Sequence, residues 1–270
     1  MKIGLRAHDY GRHKPEDLIR KIKEDGFEAI QLAMPKAIEG INSHDEVTQE
    51  LVDAIHNECV KHNIEVTVLG CYVEPSLLDT DERNTHVQRF LRTMDFMKTL
   101  DATCIGTETT NFEYPESQRE EVFNVLVDSV RKMVEKAEEI GVDVAIEPVS
   151  RHTLNTPELT ARLLIEVPSE RLKVIFDPVN LLTAQNITDQ NNLWDRSFEA
   201  FGDKICAVHI KGAKLNDAGE LISTSLKDSQ VNYAKIINWL KQNKPNVTLL
   251  REEIKEEIAK DDLEFIKSFL

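Results

Sequence analysis

Polar side chains that could bind a metal ion stand at the ends of four apolar runs in the second half of the chain. They are Glu147 in VAIEPV, Asp177 in VIFDPVN, His209 in AVHIKG and the pair Glu252 and Glu253 in LLREEI. Three carboxylates and one imidazole suit a divalent cation such as Mn²⁺, Mg²⁺ or Co²⁺. Without a cation, acids held this close would repel one another and raise one another's pKa values. The pattern therefore predicts a site for one divalent metal ion.

Side-chain alternation decides between the two glutamates of the last run. Successive residues of a strand point to opposite faces. An inward Glu252 goes with an inward Leu250, whereas an inward Glu253 would place Arg251 in the interior. Alternation favours Glu252 as the fourth ligand, with Glu253 as the alternative.

Other polar residues near the ends of apolar runs, Arg6 among them, could bind the hydroxyls or a phosphate of a substrate. We predict substrate contacts for His8, Glu108, Arg151, His152, Asn180 and Lys211. Lys211 has a specific reason, because a cation two residues beyond a metal ligand can reach an anionic group. Tyr72, at the start of a loop, is interpreted as a loop-packing residue, and packing on the face of a sugar is the alternative.

A repeated pattern of strands and helices must position these residues. Short runs rich in Val, Ile and Leu alternate eight times with longer segments of helical spacing, which predicts an α/β protein with parallel strands. The predicted strands are 2–7, 29–34, 64–71, 102–108, 142–147, 172–177, 205–210 and 247–252. The clearest helical stripe consists of Val122, Leu126, Val130, Val134 and Ala137.

Eight such units predict a closed (β/α)8 barrel that spans residues 1–270 as one domain. No Pro/Gly/Ser-rich linker and no low-complexity stretch divides the chain. An open Rossmann-like sheet would normally carry a glycine-rich turn after its first strand, and neither GxGxxG nor GxxxxGK[ST] is present. In a barrel, active sites lie at the carboxyl ends of the strands, which is where the polar residues above are placed.

Composition limits the partners and the compartment. The chain has 33 Lys and Arg residues against 48 Asp and Glu residues, and the formal charge of −15 opposes binding to nucleic acid. The first residues lack the apolar core of a signal peptide, and no run of about eighteen apolar residues occurs, so no membrane segment is expected. Four cysteines without a CxxC pair are typical of reduced thiols. We expect a cytoplasmic protein with a small-molecule partner.

The sequence resembles the sugar phosphate isomerase/epimerase superfamily, the xylose isomerase-like TIM barrels that include ketose 3-epimerases and inosose dehydratases. The resemblance covers the whole chain and rests on KIGLRAHDYG, VAIEPVSRHTLNTPE, VIFDPVNLL, AVHIKG and LLREE, in this order and spacing. It implies one metal ion, Mn²⁺ before Mg²⁺, Co²⁺ or Zn²⁺, bound by Glu147, Asp177, His209 and Glu252. It also implies that Glu147 and Glu252 act as an acid/base pair on opposite faces of a carbohydrate substrate. Members of this superfamily often form homo-oligomers.

The sequence departs from the ketose 3-epimerases at three positions. Those enzymes have a second glutamate where this chain has Thr153, and a histidine where it has Asn180. They also provide an arginine shortly after the position of Lys211. Because these positions belong to the predicted substrate site, the resemblance leaves the substrate open.

The leading functional hypothesis is isomerisation or epimerisation of a small sugar, sugar phosphate or related polyhydroxy carbonyl compound. A metal ion would stabilise the enediolate while two carboxylates move the proton. An inosose dehydratase-like lyase is an alternative because it begins with the same proton abstraction. An endonuclease-IV-like phosphodiesterase would need several metal ions and a basic DNA-binding face. A further alternative is a non-catalytic barrel that binds a sugar, but such a protein would not need all four predicted metal ligands.

Overall fold

Eight parallel strands form a closed barrel in a computed structural model that describes residues 1–270. The strands of the chain are β1 (Ile3–Arg6), β2 (Ala29–Leu32), β3 (Glu65–Gly70), β4 (Cys104–Glu108), β5 (Val144–Glu147), β6 (Leu172–Phe176), β7 (Ile205–Ile210), β8 (Gly212–Leu215), β9 (Leu221–Thr224) and β10 (Thr248–Arg251). Strands β1 to β7 pair in chain order, and β10 closes the ring between β7 and β1. Each barrel strand lies within a predicted run, so the predicted (β/α)8 barrel is confirmed.

Helices surround the barrel and cover the outer faces of its strands. They are α1 (Pro15–Glu24), α2 (Met34–Ala37), α3 (Gln49–His62), α4 (Thr80–Thr93), α5 (Met97–Leu100), α6 (Arg119–Ile140), α7 (Pro157–Glu166), α8 (Pro178–Leu181), α9 (Gln190–Phe201), α10 (Tyr233–Asn243) and α11 (Ala259–Lys267). Every residue of the apolar stripe predicted on α6 is buried. None of these helices combines the length and the apolar character needed to span a bilayer.

Local signals fix where the helices begin and end. The hydroxyl of Thr156 caps α7 by accepting a hydrogen bond from the N–H of Leu159 at 3.2 Å, and Pro157 occupies the first turn. Helix α6 ends at Gly141, whose φ of +72° lies in the left-handed region that glycine adopts without strain. These caps return the chain to the barrel through short connections, so polar residues at the strand ends are held on a rigid frame.

Small and branched side chains fill the barrel beneath the carboxyl ends of the strands. The interior layer consists of Val68, Cys104, Ala145, Ile175, Ala207 and Leu250, one from each of six strands. Gly106 is required beside this layer because a Cβ there would lie 2.5 Å from Cδ1 of Ile175. The barrel interior is therefore packed, and this layer separates the polar side chains at the carboxyl ends of the strands from solvent at the opposite end of the barrel.

The hairpin formed by β8 and β9 is absent from the predicted pattern. It pairs antiparallel immediately beyond β7. Its turn is closed by the side chain of Asn216, which accepts hydrogen bonds from the N–H groups of Ala218 and Glu220 at 3.0 and 2.9 Å. Gly219 supplies a φ of +77°. An Asn and a Gly between two short apolar runs are a turn signal in the sequence that could have located the hairpin.

Candidate metal and active site

The four predicted metal ligands converge at the carboxyl end of the barrel. Glu147 ends β5, Asp177 follows β6, His209 lies in β7 and Glu252 follows β10. All four are at most 4% exposed. Nδ1 of His209 faces one carboxylate oxygen of each acid, at 3.3 Å for Glu147, 3.6 Å for Asp177 and 3.4 Å for Glu252. Residues from four consecutive barrel strands thus form one buried cluster.

Alternation holds through β10 and brings Glu252, not Glu253, into this cluster. Leu250 belongs to the interior layer of the barrel. Arg251 is also buried, but its Nε lies 2.8 Å from Oδ2 of Asp262, a residue of α11, so it points to the helix side of the strand. Glu253 is exposed and has a φ of +58°, so the chain turns away from the strand directly after Glu252.

A hydrogen-bonded chain orients the imidazole of His209. The amide nitrogen of Gln31 donates to the hydroxyl of Tyr72 at 2.7 Å, which leaves its carbonyl oxygen facing His209. That oxygen lies 2.6 Å from Nε2 of His209 and can only accept, so Nε2 carries the proton. In the neutral ring, Nδ1 then has a lone pair, and this buried atom has no hydrogen-bond partner. The lone pair is directed towards three carboxylate oxygens.

This donor arrangement fits a single divalent cation. A lone pair facing three carboxylates is repulsive unless positive charge lies between them. Coordination bonds of about 2.0–2.2 Å put neighbouring ligand atoms about 3.0–3.6 Å apart. The distances of 3.3 to 3.6 Å between Nδ1 and the three oxygens agree with that spacing. The atoms offered by Glu147, Asp177 and His209 also lie within 4.8 Å of one another.

Asn180 and Lys211 connect the acids on one side of the cluster. Nζ of Lys211 lies 2.9 Å from Oδ2 of Asp177 and 3.4 Å from Oε2 of Glu252. It also donates to Oδ1 of Asn180 at 2.8 Å. The amide nitrogen of Asn180 donates to Oε1 of Glu147 at 2.5 Å. Lys211 therefore offsets part of the negative charge, and Asn180 fixes the positions of Lys211 and Glu147 relative to each other.

Burial and charge shift the pKa values of the cluster in different directions. Burial raises the pKa of Glu147, although His209 opposes this rise. Burial also disfavours ionised Glu252, but His209, Lys211 and Arg6 outweigh it and lower its pKa. At His209 burial disfavours the cation, yet Glu252 and Glu147 raise its pKa well above the usual range. The acids therefore require positive charge at Nδ1, which a proton or a metal ion can supply.

The remaining predicted substrate contacts lie around this cluster at different depths. Glu108 ends β4 beside Glu147, and burial together with that neighbour raises its pKa to about 7. Its Oε2 lies 3.6 Å from Nε2 of the buried His152. Nδ1 of His152 and Nδ1 of His8 are buried without a hydrogen-bond partner. Arg151 is exposed and lines a cleft beside Lys211, farther out than the others.

Three further residues support the cluster, directly or through a neighbour, and the sequence did not indicate the roles of Gln31 and Tyr72. Gln31 orients His209, and its signal was a single polar residue inside an apolar strand run. The Tyr72 ring packs against His8 and Lys36, and its hydroxyl also accepts a hydrogen bond from Gln31, a role that the sequence did not indicate. Arg6, at the end of β1, lies with Nη1 3.4 Å from Oε2 of Glu252 while it also pairs with Asp9. No sequence spacing relates these residues to the last four barrel strands.

Comparison with known proteins identifies the family of this chain. A family model described as xylose isomerase-like TIM barrel matches residues 19–269. The chain belongs to this family. Membership agrees with the resemblance of the sequence motifs and with the closed barrel. Among curated proteins, none matches the sequence of this family member.

Solved structures share the fold over the full length of the chain. A D-psicose 3-epimerase determined in the presence of D-fructose is 17% identical, with a TM-score of 0.77, and the match covers 100% of this chain and 99% of that one. The IOLI protein with a bound zinc atom is 16% identical, with a TM-score of 0.77 and coverage of 100% and 96%. A xylose isomerase-like TIM barrel protein from Mycobacterium smegmatis in complex with magnesium is 14% identical, with a TM-score of 0.76 and coverage of 99% and 96%. At these identities the likeness shows the fold.

Proposed function

We propose that this family member is a divalent-metal-dependent isomerase or epimerase of a small polyhydroxy carbonyl compound, with Glu147 and Glu252 as its acid/base pair. The observation that carries the proposal is the buried Nδ1 of His209, which lacks a partner and faces three carboxylate oxygens. A structural histidine would direct Nδ1 at a donor or at water. A ligand histidine would direct it at a cation shared with the acids.

Glu147, Asp177, His209 and Glu252 would hold the metal ion, for which we propose Mn²⁺ before Mg²⁺, Co²⁺ or Zn²⁺. When bound, such an ion polarises the substrate carbonyl and stabilises the enediolate as a Lewis acid. Structures of the same fold with zinc and with magnesium support a divalent ion without deciding which one this chain uses. Gln31 contributes by keeping the proton on Nε2 of His209, which leaves Nδ1 free as the ligand atom.

Two glutamates on separated strands can serve opposite faces of one substrate. Glu147 belongs to β5 and Glu252 follows β10, and strands β6 and β7 lie between them in the barrel. One carboxylate would take the proton from the carbon next to the carbonyl, and the C–H electron pair would become part of the enediolate double bond. The other glutamate, in its protonated form, would return a proton to that carbon from the opposite face.

Neighbouring polar groups would keep these carboxylates in position and contact the substrate. Asn180 donates to Oε1 of Glu147, while Arg6 and Lys211 both lie 3.4 Å from Oε2 of Glu252. Each glutamate is therefore held by one oxygen. We assign substrate contacts to His8, Glu108, Arg151, His152, Asn180 and Lys211. Because Asn180 and Lys211 are already bonded to the acids, they would contact hydroxyls on the atoms nearest the metal ion.

Exchange of a carbon-bound substrate proton with D2O tests this proposal. Ketoses, aldoses, inososes and their phosphates would be screened with added Mn²⁺, and the best substrate would be followed by NMR. The variants Glu147→Gln and Glu252→Gln should each lower exchange by about 10²- to 10⁴-fold, because an amide cannot move the proton. Glu253→Gln is the matched control, because this adjacent glutamate is exposed and should leave exchange unchanged.

Three results would contradict the proposal. Wild-type exchange in both Glu147→Gln and Glu252→Gln would refute the acid/base assignment. Turnover without any exchange would indicate hydride transfer. Formation of an unsaturated or deoxy product would identify a dehydratase that uses the same proton abstraction.

A further inference from the structure

Lys36 is a cation at the mouth of the site with no anionic partner. It lies in α2, directly after β2, and its side chain is exposed. Its Nζ stands 4.0 Å from the centroid of the Tyr72 ring. Tyr72 accepts a hydrogen bond from Gln31, which in turn contacts His209. Lys36 is therefore separated from a proposed metal ligand by two side chains, yet it forms no salt bridge.

The charges in and next to the metal cluster already have partners. A divalent cation and Lys211 together balance the carboxylates of Glu147, Asp177 and Glu252. Arg6 is bonded through Nη2 to Asp9 at 2.7 Å. The charge on Lys36 is thus left without a counter-charge in contact, although the chain as a whole carries a formal charge of −15. Glu108 contributes to the electrostatic field at Lys36 but forms no salt bridge with it, so the ammonium is free to contact an anionic group of a ligand.

The surroundings of Lys36 suit an anionic group. Partial burial and the guanidinium of Arg6 lower the pKa of Lys36, while Glu108 and Glu252 oppose that change, so the ammonium lies within the electrostatic field of the site. The ring of His8 meets Tyr72 edge to face, with centroids 6.4 Å apart. Nδ1 of His8 is buried without a hydrogen-bond partner. Lys36, Tyr72 and His8 form the wall opposite Asn180 and Lys211, and we call these three residues the cationic wall.

We propose that the cationic wall binds an anionic group, a carboxylate or a phosphate, at the end of the substrate remote from the reacting carbons. This inference rests on the proposed function and narrows its substrate to sugar acids or sugar phosphates. Lys36 supplies the charge, and the Tyr72 ring, against which His8 packs, holds the ammonium in place. The exposure of Lys36 leaves the subsite open to an incoming ligand.

Calorimetric binding of three unreactive probes tests the subsite. Xylitol is neutral, D-xylonate carries a carboxylate, and xylitol 5-phosphate carries a phosphate. The wild-type protein should bind at least one charged probe more tightly than xylitol. Lys36→Met should reduce that preference about tenfold or more, because a charge-assisted contact is lost, and leave the affinity for xylitol unchanged. Lys36→Arg should retain most of the preference, and the probe that responds identifies carboxylate or phosphate as the group bound.

Controls separate a local contact from general charge effects and from turnover. Lys132→Met changes the net charge equally on the exposed face of α6 and should leave the preference unchanged. Each titration is made with and without Mn²⁺. A carboxylate probe can also gain affinity by binding the metal ion, and the ratio of its affinities for wild type and variant cancels that gain. An equal anion preference in wild type and Lys36→Met, or no preference in wild type, would overturn the subsite. Because the probes do not react, their binding does not depend on turnover. Absence of D2O exchange would therefore refute the proposed function without refuting the anion subsite.

Discussion

Replacing Gln31 by leucine is the sharpest test of how the protein prepares His209. Gln31 is 2% exposed, and its amide oxygen receives the Nε2 proton of His209 at 2.6 Å. Leucine has a similar size but accepts no hydrogen bond. The Nε2–H of His209, itself fully buried, would lose its partner, and the ring would be free to exchange tautomers. The substitution removes the orienting contact while it leaves all four proposed ligands in place.

The expected loss can be estimated from these contacts. An unsatisfied buried donor costs about 1–3 kcal/mol, which should appear as lower stability of the metal-free protein. Removing the partner that orients a histidine ligand lowers metal affinity about 10- to 100-fold, or about 1.4–2.7 kcal/mol. Tyr72→Phe is the graded control, because it deletes only the hydroxyl that holds the far end of Gln31. Its effect on metal affinity should be smaller than that of Gln31→Leu.

Calorimetric titration of the chelator-treated protein with Mn²⁺ at pH 7 measures this loss directly. Thermal melts with and without Mn²⁺ give an independent readout, since a ligand that binds only the folded protein raises Tm. Wild type should gain more in Tm than Gln31→Leu at the same metal concentration. If folded Gln31→Leu bound Mn²⁺ with wild-type affinity, the argument from the His209 tautomer would be wrong.

Two further predictions concern stability. Asp262→Ala should destabilise the fold by about 3–5 kcal/mol because it leaves Arg251, whose side chain is 2% exposed, without its partner. The control Asp261→Ala removes the exposed neighbouring carboxylate and should cost about 0–1 kcal/mol. Equal midpoints of urea unfolding for the two variants would refute this contrast. Burial lowers the pKa values of His8, His44 and His152 to about 4, whereas the unfolded chain binds these protons near pH 6.5. These three histidines should therefore lower the stability of the chelated protein as pH drops from about 6.5 to about 4, and His44→Gln should remove roughly a third of their combined contribution. A decline of unchanged steepness in His44→Gln would count against this assignment.

The barrel and the four converging residues could be predicted because they follow from local patterns. Apolar runs of strand length recur along the chain, and polar residues at their ends must meet at one face of a parallel barrel. Alternation along β10 similarly brings Glu252 towards the site and Leu250 into the interior. The hairpin between β8 and β9 escaped prediction because its strands are four residues each and are partly exposed, so they lack the strong apolar signal of the barrel strands.

The sequence by itself determined which residues of the last four barrel strands share a face, because strand period and strand order suffice for that. Only the tertiary structure decided what surrounds them. Gln31 reaches His209 across 178 residues of chain, and Lys36 and Tyr72 follow strands on the far side of the barrel. These contacts depend on closure of the ring and on the stagger of its strands, which set which side chains meet across the interior. Such cross-barrel distances are properties of the closed sheet and leave no spacing in the sequence.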